Sequence, residues 1–394
     1  MSAKTMQGTP QWLGAVNDRT ALALLLDHGV LTRNRIGELS GLSKPTASQI
    51  VARLEQAGLI RAVGEVSGGR GPNAASYAAR LERGYGVAVD VTATTIRASL
   101  VDAAGTEHPI VERPARQNTA TRAASGDLEW SIRAAAEAAD VDPSSVRHLL
   151  VGVQGAIDPR TDELAFAEAL PGWPRRRIRS TLEAALHRQV TIENDVNLAA
   201  VAERTQGAGA GTTDFALLWM GSGLGLAIDL AGAIVRGSGG GAGEIGYLPI
   251  PAAASGIDPA AVELQDLIGG RAISRMLRAH GVAGRTLEAR FERLAAAERR
   301  NEALAELARR IAVGLVPVLA VADPGLVVLG GPTGAGGGEA LADLVRTMIR
   351  RTTRWSPDVV ATAVSEHPVL RGARSRLGAE LRAALLDDVN ALVT

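Results

Sequence analysis

Short apolar runs typical of strands alternate with helical patterns from Tyr85 onward, and this alternation constrains the fold most strongly. Residues 86–91 and 95–101 are rich in strand-forming side chains, and residues 149–153 are continuously apolar, as expected of a buried strand. Strands that alternate with helices along a chain pack in layers around a sheet. The sequence therefore predicts an α/β fold for this part of the chain.

The other predicted elements of this region follow from the spacing of the apolar residues, which differs between strands and helices. Further strands are expected at 190–192, 214–219, 225–230 and 326–329. Helices are expected at 128–139, 182–186, 260–279 and 287–319, the last with a break near Pro317. No internal repeat is evident in the sequence.

The first 80 residues have a different pattern, that of a helix-turn-helix. A short apolar helix over 21–27 ends at Gly29, and Thr32 can cap a second helix over 33–40. Gly41 makes the turn, and Ser43 caps a third helix that Gly58 closes. Strand-like residues 59–66 and 74–79 flank a Gly-rich turn, which predicts a wing.

The exposed start of the third helix and the wing tip carry side chains that reach phosphates and base edges. The predicted DNA contacts are Arg33, Lys44, Pro45, Thr46, Ser48, Gln49, Arg53 and Arg70. A winged helix that binds another protein instead of DNA is the alternative for this segment.

Charge and composition narrow the function classes. The 394 residues have a net charge of zero, but residues 1–80 carry +4 and the remainder −4, which suggests a small nucleic-acid module on a larger body. The chain has no cysteine, which excludes disulfides, thiolate nucleophiles and iron–sulfur clusters. Neither a secretory signal nor a bilayer-spanning apolar stretch is present, so we expect a cytoplasmic protein without membrane contact.

Four short motifs occur in the order and spacing of the ROK family (repressors, open reading frames and kinases), which the chain resembles over nearly its whole length. They are Leu-Pro-Gly-Trp at 170–173, Glu-Asn-Asp-Val-Asn at 193–197, Gly-Ser-Gly-Leu-Gly at 221–225 and Gly-Glu-Ile-Gly at 243–246. Residues 152–158, the wing at 67–70 and a C-terminal helix over 369–385 also fit, the wing being typical of the regulator branch.

The resemblance implies a winged helix-turn-helix domain (1–82) followed by an actin-like, ASKHA-type body (83–394) with a sugar-binding cleft. Lobe 1 would comprise about 83–195 plus the C-terminal helix at about 370–394, and lobe 2 about 196–369. Asp195 stands at the position of the family kinases' general base. The residues expected to bind the ligand are Gly155, Asn194, Asp195, Glu244, Tyr247 and Gln265. The alternative for Asn194 and Asp195 is a purely structural helix cap.

The first phosphate loop departs from the kinase pattern. Family kinases have two glycines there, which let backbone N–H groups approach a phosphate. Here the loop is Asp90-Val91-Thr92-Ala93-Thr94, without glycine, and the later loop Gly330-Gly331-Pro332 carries an atypical proline. The sequence therefore predicts no kinase activity and no catalytic residue, because phosphoryl transfer depends on positioning of the phosphates.

The family's structural zinc site is the second departure. Its histidine position is Tyr247, its three cysteines are missing, its glutamate position falls on Gln265, and its asparagine before the Leu-Pro-Gly-Trp motif is Ala169. A Cys₃His site cannot exist in this chain, so we expect neither a metal nor a cofactor.

These observations predict a transcriptional regulator, a repressor, whose cleft binds a sugar or sugar-phosphate effector that modulates binding to a palindromic DNA operator as a homodimer or homotetramer. Two alternatives stay open: an ATP-dependent sugar kinase with a DNA-binding head, and a regulator that has lost sugar sensing.

Overall fold

The computed structural model describes residues 10–66, 74–116, 122–167, 170–251 and 256–390. The first of these segments forms most of a small head. Its helices are α1 (Pro10–His28), α2 (Arg33–Ser40) and α3 (Lys44–Gln56), and its strands are β1 (Leu31–Thr32), β2 (Ile60–Val66) and β3 (Ala74–Ala79). The strands form an antiparallel sheet in the order β1-β3-β2, the wing of the sequence prediction.

Side-chain caps fix the helix-turn-helix geometry where the sequence predicted them. The Thr32 hydroxyl accepts a hydrogen bond from the Arg35 N–H, and the Ser43 hydroxyl accepts one from the Thr46 N–H, both at 3.3 Å. Gly41 has a φ of 70°, which only glycine adopts readily, and it turns the chain between α2 and α3. The predicted first helix is too short, because buried Ala15 and Asp18 extend α1 toward the N-terminus.

Lobe 1 is built on a five-stranded sheet. Its elements are β4 (Tyr85–Val91), β5 (Thr95–Val101), β6 (Ile110–Pro114), α4 (Ala124–Ala138), β7 (Val146–Val153), the hairpin β8 (Ala156–Asp158) and β9 (Glu163–Ala165), α5 (Ile178–Leu186) and β10 (Gln189–Asn194). The sheet has the order β10-β7-β4-β5-β6, and helices α4 and α5 cover one face through an apolar core. The interlobe helix α6 (Asp195–Gln206) follows β10 directly.

Lobe 2 is built on a second five-stranded sheet. Its elements are β11 (Asp214–Met220), β12 (Leu224–Leu230), β13 (Ala233–Ile234), α7 (Leu264–Ile268), α8 (Gly270–Ala279), α9 (Leu287–Leu294), α10 (Arg300–Ala322), β14 (Leu326–Gly330), α11 (Gly331–Thr352) and β15 (Asp358–Ala361). The sheet has the order β13-β12-β11-β14-β15. Helices α7 to α11 cover one face, and α6 covers the other.

The two sheets have the same strand arrangement. In each, three strands joined antiparallel are followed by two strands that add in parallel. When only the five strands of each sheet are numbered in chain order, the strand order is 3-2-1-4-5 in both. The body is therefore a structural duplication, although no repeat is evident in the sequence.

Two further expectations for lobe 2 are wrong. Helix α10 continues through Pro317, because Leu315, Val318 and Leu319 are buried on both sides of the proline and hold the helix against the core. Gly330-Gly331-Pro332 is not an open loop, since Gly330 caps α11 and Pro332 lies in its first turn, where proline is tolerated.

The last described helix, α12 (Pro368–Asp387), returns to lobe 1, as the sequence predicted. Its apolar residues share one core cluster with β4, α6 and the head helices. Helix α12 thus packs at the junction of the head with lobe 1. In the part of the chain that the structure describes, no helix has the length and apolar character needed to cross a membrane.

Candidate functional site: an interlobe cleft and a winged-helix head

A cavity of about 440 Å³ lies elsewhere, at the head junction, but the cleft between the lobes is larger, at about 530 Å³. All six residues that the sequence assigned to a ligand site line it. They are Gly155, Asn194 and Asp195 on the lobe 1 side and Glu244, Tyr247 and Gln265 on the lobe 2 side. The structure therefore brings together side chains that lie up to 110 positions apart in the sequence.

The junction of β10 with α6 places Asn194 and Asp195 in the cleft. Asn194 caps α6, because its Oδ1 accepts a hydrogen bond from the Asn197 N–H at 3.1 Å. Its Nδ2 donates to the Gly155 carbonyl oxygen at 3.1 Å, which ties the cap to lobe 1. The capping role proposed for Asn194 is thus present, and the same residue also lines the cavity.

Burial raises the pKa of two carboxyls, Asp195 in the cleft and Asp90 on β4. It raises the pKa of Asp195 to about 7, with Asp90 and Glu244 adding to the rise and the Val196 N–H opposing it. Burial also raises the pKa of Asp90 to about 6, although the Arg97 guanidinium, 3.6 Å away, opposes the rise. These carboxyls can therefore donate or accept hydrogen bonds near neutral pH.

Glu193, next to last in β10, fixes the end of this strand through hydrogen bonds. This buried carboxylate accepts hydrogen bonds from Asn197 Nδ2 at 2.9 Å, from Arg236 Nε at 2.7 Å and from Arg376 of α12. Three donors compensate for its desolvation, which would otherwise cost several kcal/mol. The network holds the ligand-lining turn against α12.

The first phosphate-loop position is closed by its own side chain. Thr92 Oγ1 accepts hydrogen bonds from the N–H groups of Thr94 and Thr95, and the Thr92 N–H donates to the Thr95 carbonyl oxygen. Three of the backbone donors that a phosphate needs are therefore used within the turn. Neighbouring Asp90 faces Arg97, which also binds Glu112 at 2.6 Å.

The sequence missed two contacts at the cleft. Gln154 Nε2 of lobe 1 donates to Ser222 Oγ of lobe 2 at 3.0 Å, so a hydrogen bond joins the lobes across the opening. Phe166 packs against Tyr247 with ring centroids 5.2 Å apart. Nothing in the sequence pattern links these pairs, because each brings together residues from different lobes.

The segment that corresponds to the family's zinc loop is held by main-chain bonds at its two ends. The Leu264 N–H donates to the Leu248 carbonyl oxygen and the Ile250 N–H donates to that of Val262. Gln265 Oε1 accepts a hydrogen bond from the Leu224 N–H at 3.4 Å, which places this glutamine on the cleft. Ala169 lies outside the described residues.

The head presents the start of α3 to solvent. Lys44, Pro45, Ser48 and Gln49 are exposed, and Thr46 is half-buried beside the Ser43 hydroxyl. Arg33 is exposed on α2 and donates to the Tyr77 hydroxyl. Arg70 lies outside the described residues.

Arg53 differs from the other predicted DNA contacts. Its Nε and one terminal nitrogen donate to the buried Asp18 carboxylate at 2.9 and 2.6 Å, so the pair joins α3 to α1. This bidentate bond takes two guanidinium nitrogens out of the set that could bind a phosphate. The geometry gives Arg53 a structural role within the head.

Comparison with known proteins gives the family. The ROK family model matches residues 86–377, and a MarR family model matches residues 17–71. The chain belongs to the ROK family. Its head is a winged helix of the MarR type, and its body has the two-sheet, actin-like fold of the family.

Three relatives illustrate the range of this family. The chain superposes with a TM-score of 0.67 on a ROK family transcriptional regulator that is a homolog of the E. coli MLC protein, with 17% identity and coverage of 97% of this chain and 99% of that one. A ROK hexokinase from Thermus thermophilus has 26% identity, a TM-score of 0.60 and coverage of 76% and 99%. The xylose repressor of Caldicellulosiruptor bescii is 23% identical over 62% of this chain and 61% of its own length.

Proposed function

We propose that this ROK protein is a DNA-binding transcriptional regulator, a repressor, whose interlobe cleft binds a sugar or sugar-derived effector and which does not phosphorylate it. The observation that carries the proposal is the combination of an exposed recognition helix with a phosphate turn whose N–H groups bond within the turn. A regulator needs the helix and the cleft but no phosphate cradle.

The cleft has the chemistry that a sugar requires. Carboxyl and amide groups of Asn194, Asp195, Glu244 and Gln265 offer donors and acceptors for hydroxyl groups. Tyr247, paired with Phe166, adds an exposed aromatic surface on which the apolar face of a sugar ring can pack. The xylose repressor among the relatives supports a sugar effector.

A continuous set of contacts connects the cleft with the head. Glu193, next to the ligand-lining turn, binds Arg376 in the middle of α12. Near its end, α12 binds α1 through two ion pairs, Arg382–Asp27 at 2.8 Å and Arg19–Asp387 at 2.6 Å. An effector that prefers one arrangement of the lobes can shift the head through α12, by as much as its affinities for the two arrangements differ.

The regulator test measures DNA affinity with and without sugars. Duplexes selected from a random library are titrated by fluorescence anisotropy against hexoses, pentoses and their phosphates. We expect one sugar class to change the Kd by about 5- to 150-fold. The Glu244→Gln variant should lose that response, whereas Glu366→Gln, at an exposed site on the body, should keep it. Selected duplexes that respond to no sugar would favour a regulator without sugar sensing.

A sugar kinase with a DNA-binding head is the second candidate, because the raised pKa of Asp195 suits a general base. An ATP-coupled assay with the same sugars separates the two, and we expect no turnover above background. Turnover of about 1–100 s⁻¹, the range of ordinary kinases, would contradict the regulator-only function. A ROK glucokinase assayed in parallel is the positive control.

A further inference from the structure

A second cavity, of about 440 Å³, lies between α12 and the turn that follows β5. Arg371, Arg374 and Arg382 line it from α12, together with Ser375 and Gly378. Counted from Arg371, the other four residues lie three, four, seven and eleven positions further along α12, so all five share one face of the helix. Glu107 is the one acidic residue among the lining residues that the structure describes.

Asp102, a buried carboxylate whose charge acts on Arg374, already accepts hydrogen bonds from its own turn. Asp102 accepts hydrogen bonds from the N–H groups of Ala104 and Thr106 and from His108. These bonds lower its pKa to about 2 despite burial, and they shape the turn that forms the opposite wall. Asp102 therefore organises the cavity, and its charge stabilises the Arg374 cation less than that of Glu107 does.

Arg374 has no ion pair or side-chain hydrogen bond within the described parts of the chain. Burial lowers its pKa, which means that the site desolvates the cation without a full counter-charge, and Glu107 only partly offsets this. Ser375 Oγ accepts a hydrogen bond from Gln206 Nε2 at 3.0 Å, which leaves its own O–H able to donate. The cavity thus combines a desolvated guanidinium with a hydroxyl donor.

From this arrangement we infer that the cavity binds the phosphate group of a small molecule, at a site distinct from the interlobe cleft. Its lining carries three arginines against one glutamate, and because Arg382 already pairs with Asp27, Arg371 and Arg374 are the guanidinium groups left for a ligand. A phosphate offers them three acceptor oxygens, whereas a carboxylate offers two. Guanidinium forks bind phosphate in bidentate geometry. The site also adjoins the head, because Arg382 pairs with Asp27 of α1.

The inference is tested on the full chain without DNA, with inorganic phosphate as the probe. Calorimetric titration and the thermal unfolding midpoint are measured against chloride at equal ionic strength, with acetate as the monoanion. We expect saturable phosphate binding that raises the midpoint, and weaker or no binding of acetate. Absence of saturable phosphate binding, or equal binding of acetate, would overturn the inference.

Variants locate the site. Arg374→Gln should weaken phosphate binding by roughly tenfold or more, because it removes a charge-assisted hydrogen bond. Glu107→Gln, on an exposed turn, should strengthen it by about two- to fivefold. Arg351→Gln, exposed on α11, is the matched control and should bind as the wild type does.

The variants decide the inference even if Arg374→Gln fails to fold, because Glu107→Gln changes affinity in the opposite direction. Wild-type affinity in Glu107→Gln together with wild-type affinity or misfolding in Arg374→Gln would overturn it. Loss of binding in Arg271→Gln, whose arginine lines the interlobe cleft, with retention in Arg374→Gln would overturn it as well.

Discussion

Two other carboxyls act on Asp195, Glu244 in the cleft and buried Asp90 on β4, and they raise its pKa further than burial alone does. Such a group is protonated more readily in the native than in the unfolded chain. It therefore favours the native state below the ordinary pKa of aspartate, and this contribution is lost as the pH rises through about 7. The buried carboxyl of Asp195 in the ligand site therefore lowers the free energy of unfolding at alkaline pH.

Replacing Asp195 with asparagine should therefore stabilise the protein more at pH 8 than at pH 5. A pKa raised to about 7 corresponds to about 4 kcal/mol at most, and we expect a gain of about 2 kcal/mol in the free energy of unfolding. Urea unfolding at both pH values measures it. Asp343→Asn, an exposed site on α11, is the control, and an equal effect of Asp195→Asn at the two pH values would contradict the linkage.

For individual residues, the sequence predicted which side chains line the cleft but not which contacts hold the neighbouring side chains in position. Family motifs identified Asn194, Glu244 and Gln265 as cleft residues. Arg97 opposite Asp90 follows from strand pairing, and the aromatic contact of Phe166 follows from packing. Neither has a signal in the order of residues, because both partners meet only in the folded chain.

Helix α3 is the element whose bounds and caps the sequence predicted best. Ser43, Pro45 and the buried face of Ala47, Ile50 and Leu54 are local signals, and they lie where expected. Helix α11 was missed, because its first turns are rich in glycine and resemble a loop. Its position comes from packing on the lobe 2 core rather than from intrinsic helix propensity.

The exposed start of α3 leads to a prediction for DNA binding. Lys44→Ala should weaken binding of all sequences and reduce the salt dependence, as expected for a phosphate contact. Gln49→Ala should cost about 1–3 kcal/mol and relax the preference at one base position. Gln56→Ala, exposed at the other end of the same helix, should bind normally in anisotropy titrations. Unchanged affinity in both of the first two variants would exclude α3 as the recognition helix.

On the scale of the whole molecule, the duplication of the body is the feature that the sequence concealed. Both sheets have the order 3-2-1-4-5, although no repeat is evident in the sequence. Strand order depends on hydrogen bonds between distant segments, and many apolar side chains satisfy the same pairing. The α/β class follows from alternation, whereas the symmetry of the lobes needs the structure.

A single head contacts few base pairs, which gives too little discrimination against the rest of a genome. We therefore expect two copies of the chain on a palindromic duplex, with half-sites about 34 Å apart. Sedimentation of the protein with a selected duplex measures the stoichiometry. A complex of one chain per duplex at full affinity would contradict this expectation.

Helix α12 imposes an order on how the protein is made. One apolar cluster contains Leu22 and Ile50 of the head, Leu150 of lobe 1, and Leu377 and Leu385 of α12. During translation the head and most of lobe 1 leave the ribosome long before α12, with that apolar surface still uncovered. The apolar core shared by the head and lobe 1 is therefore completed only when α12 has been synthesised. Nascent chains that stop before α12 expose this surface to chaperones and proteases.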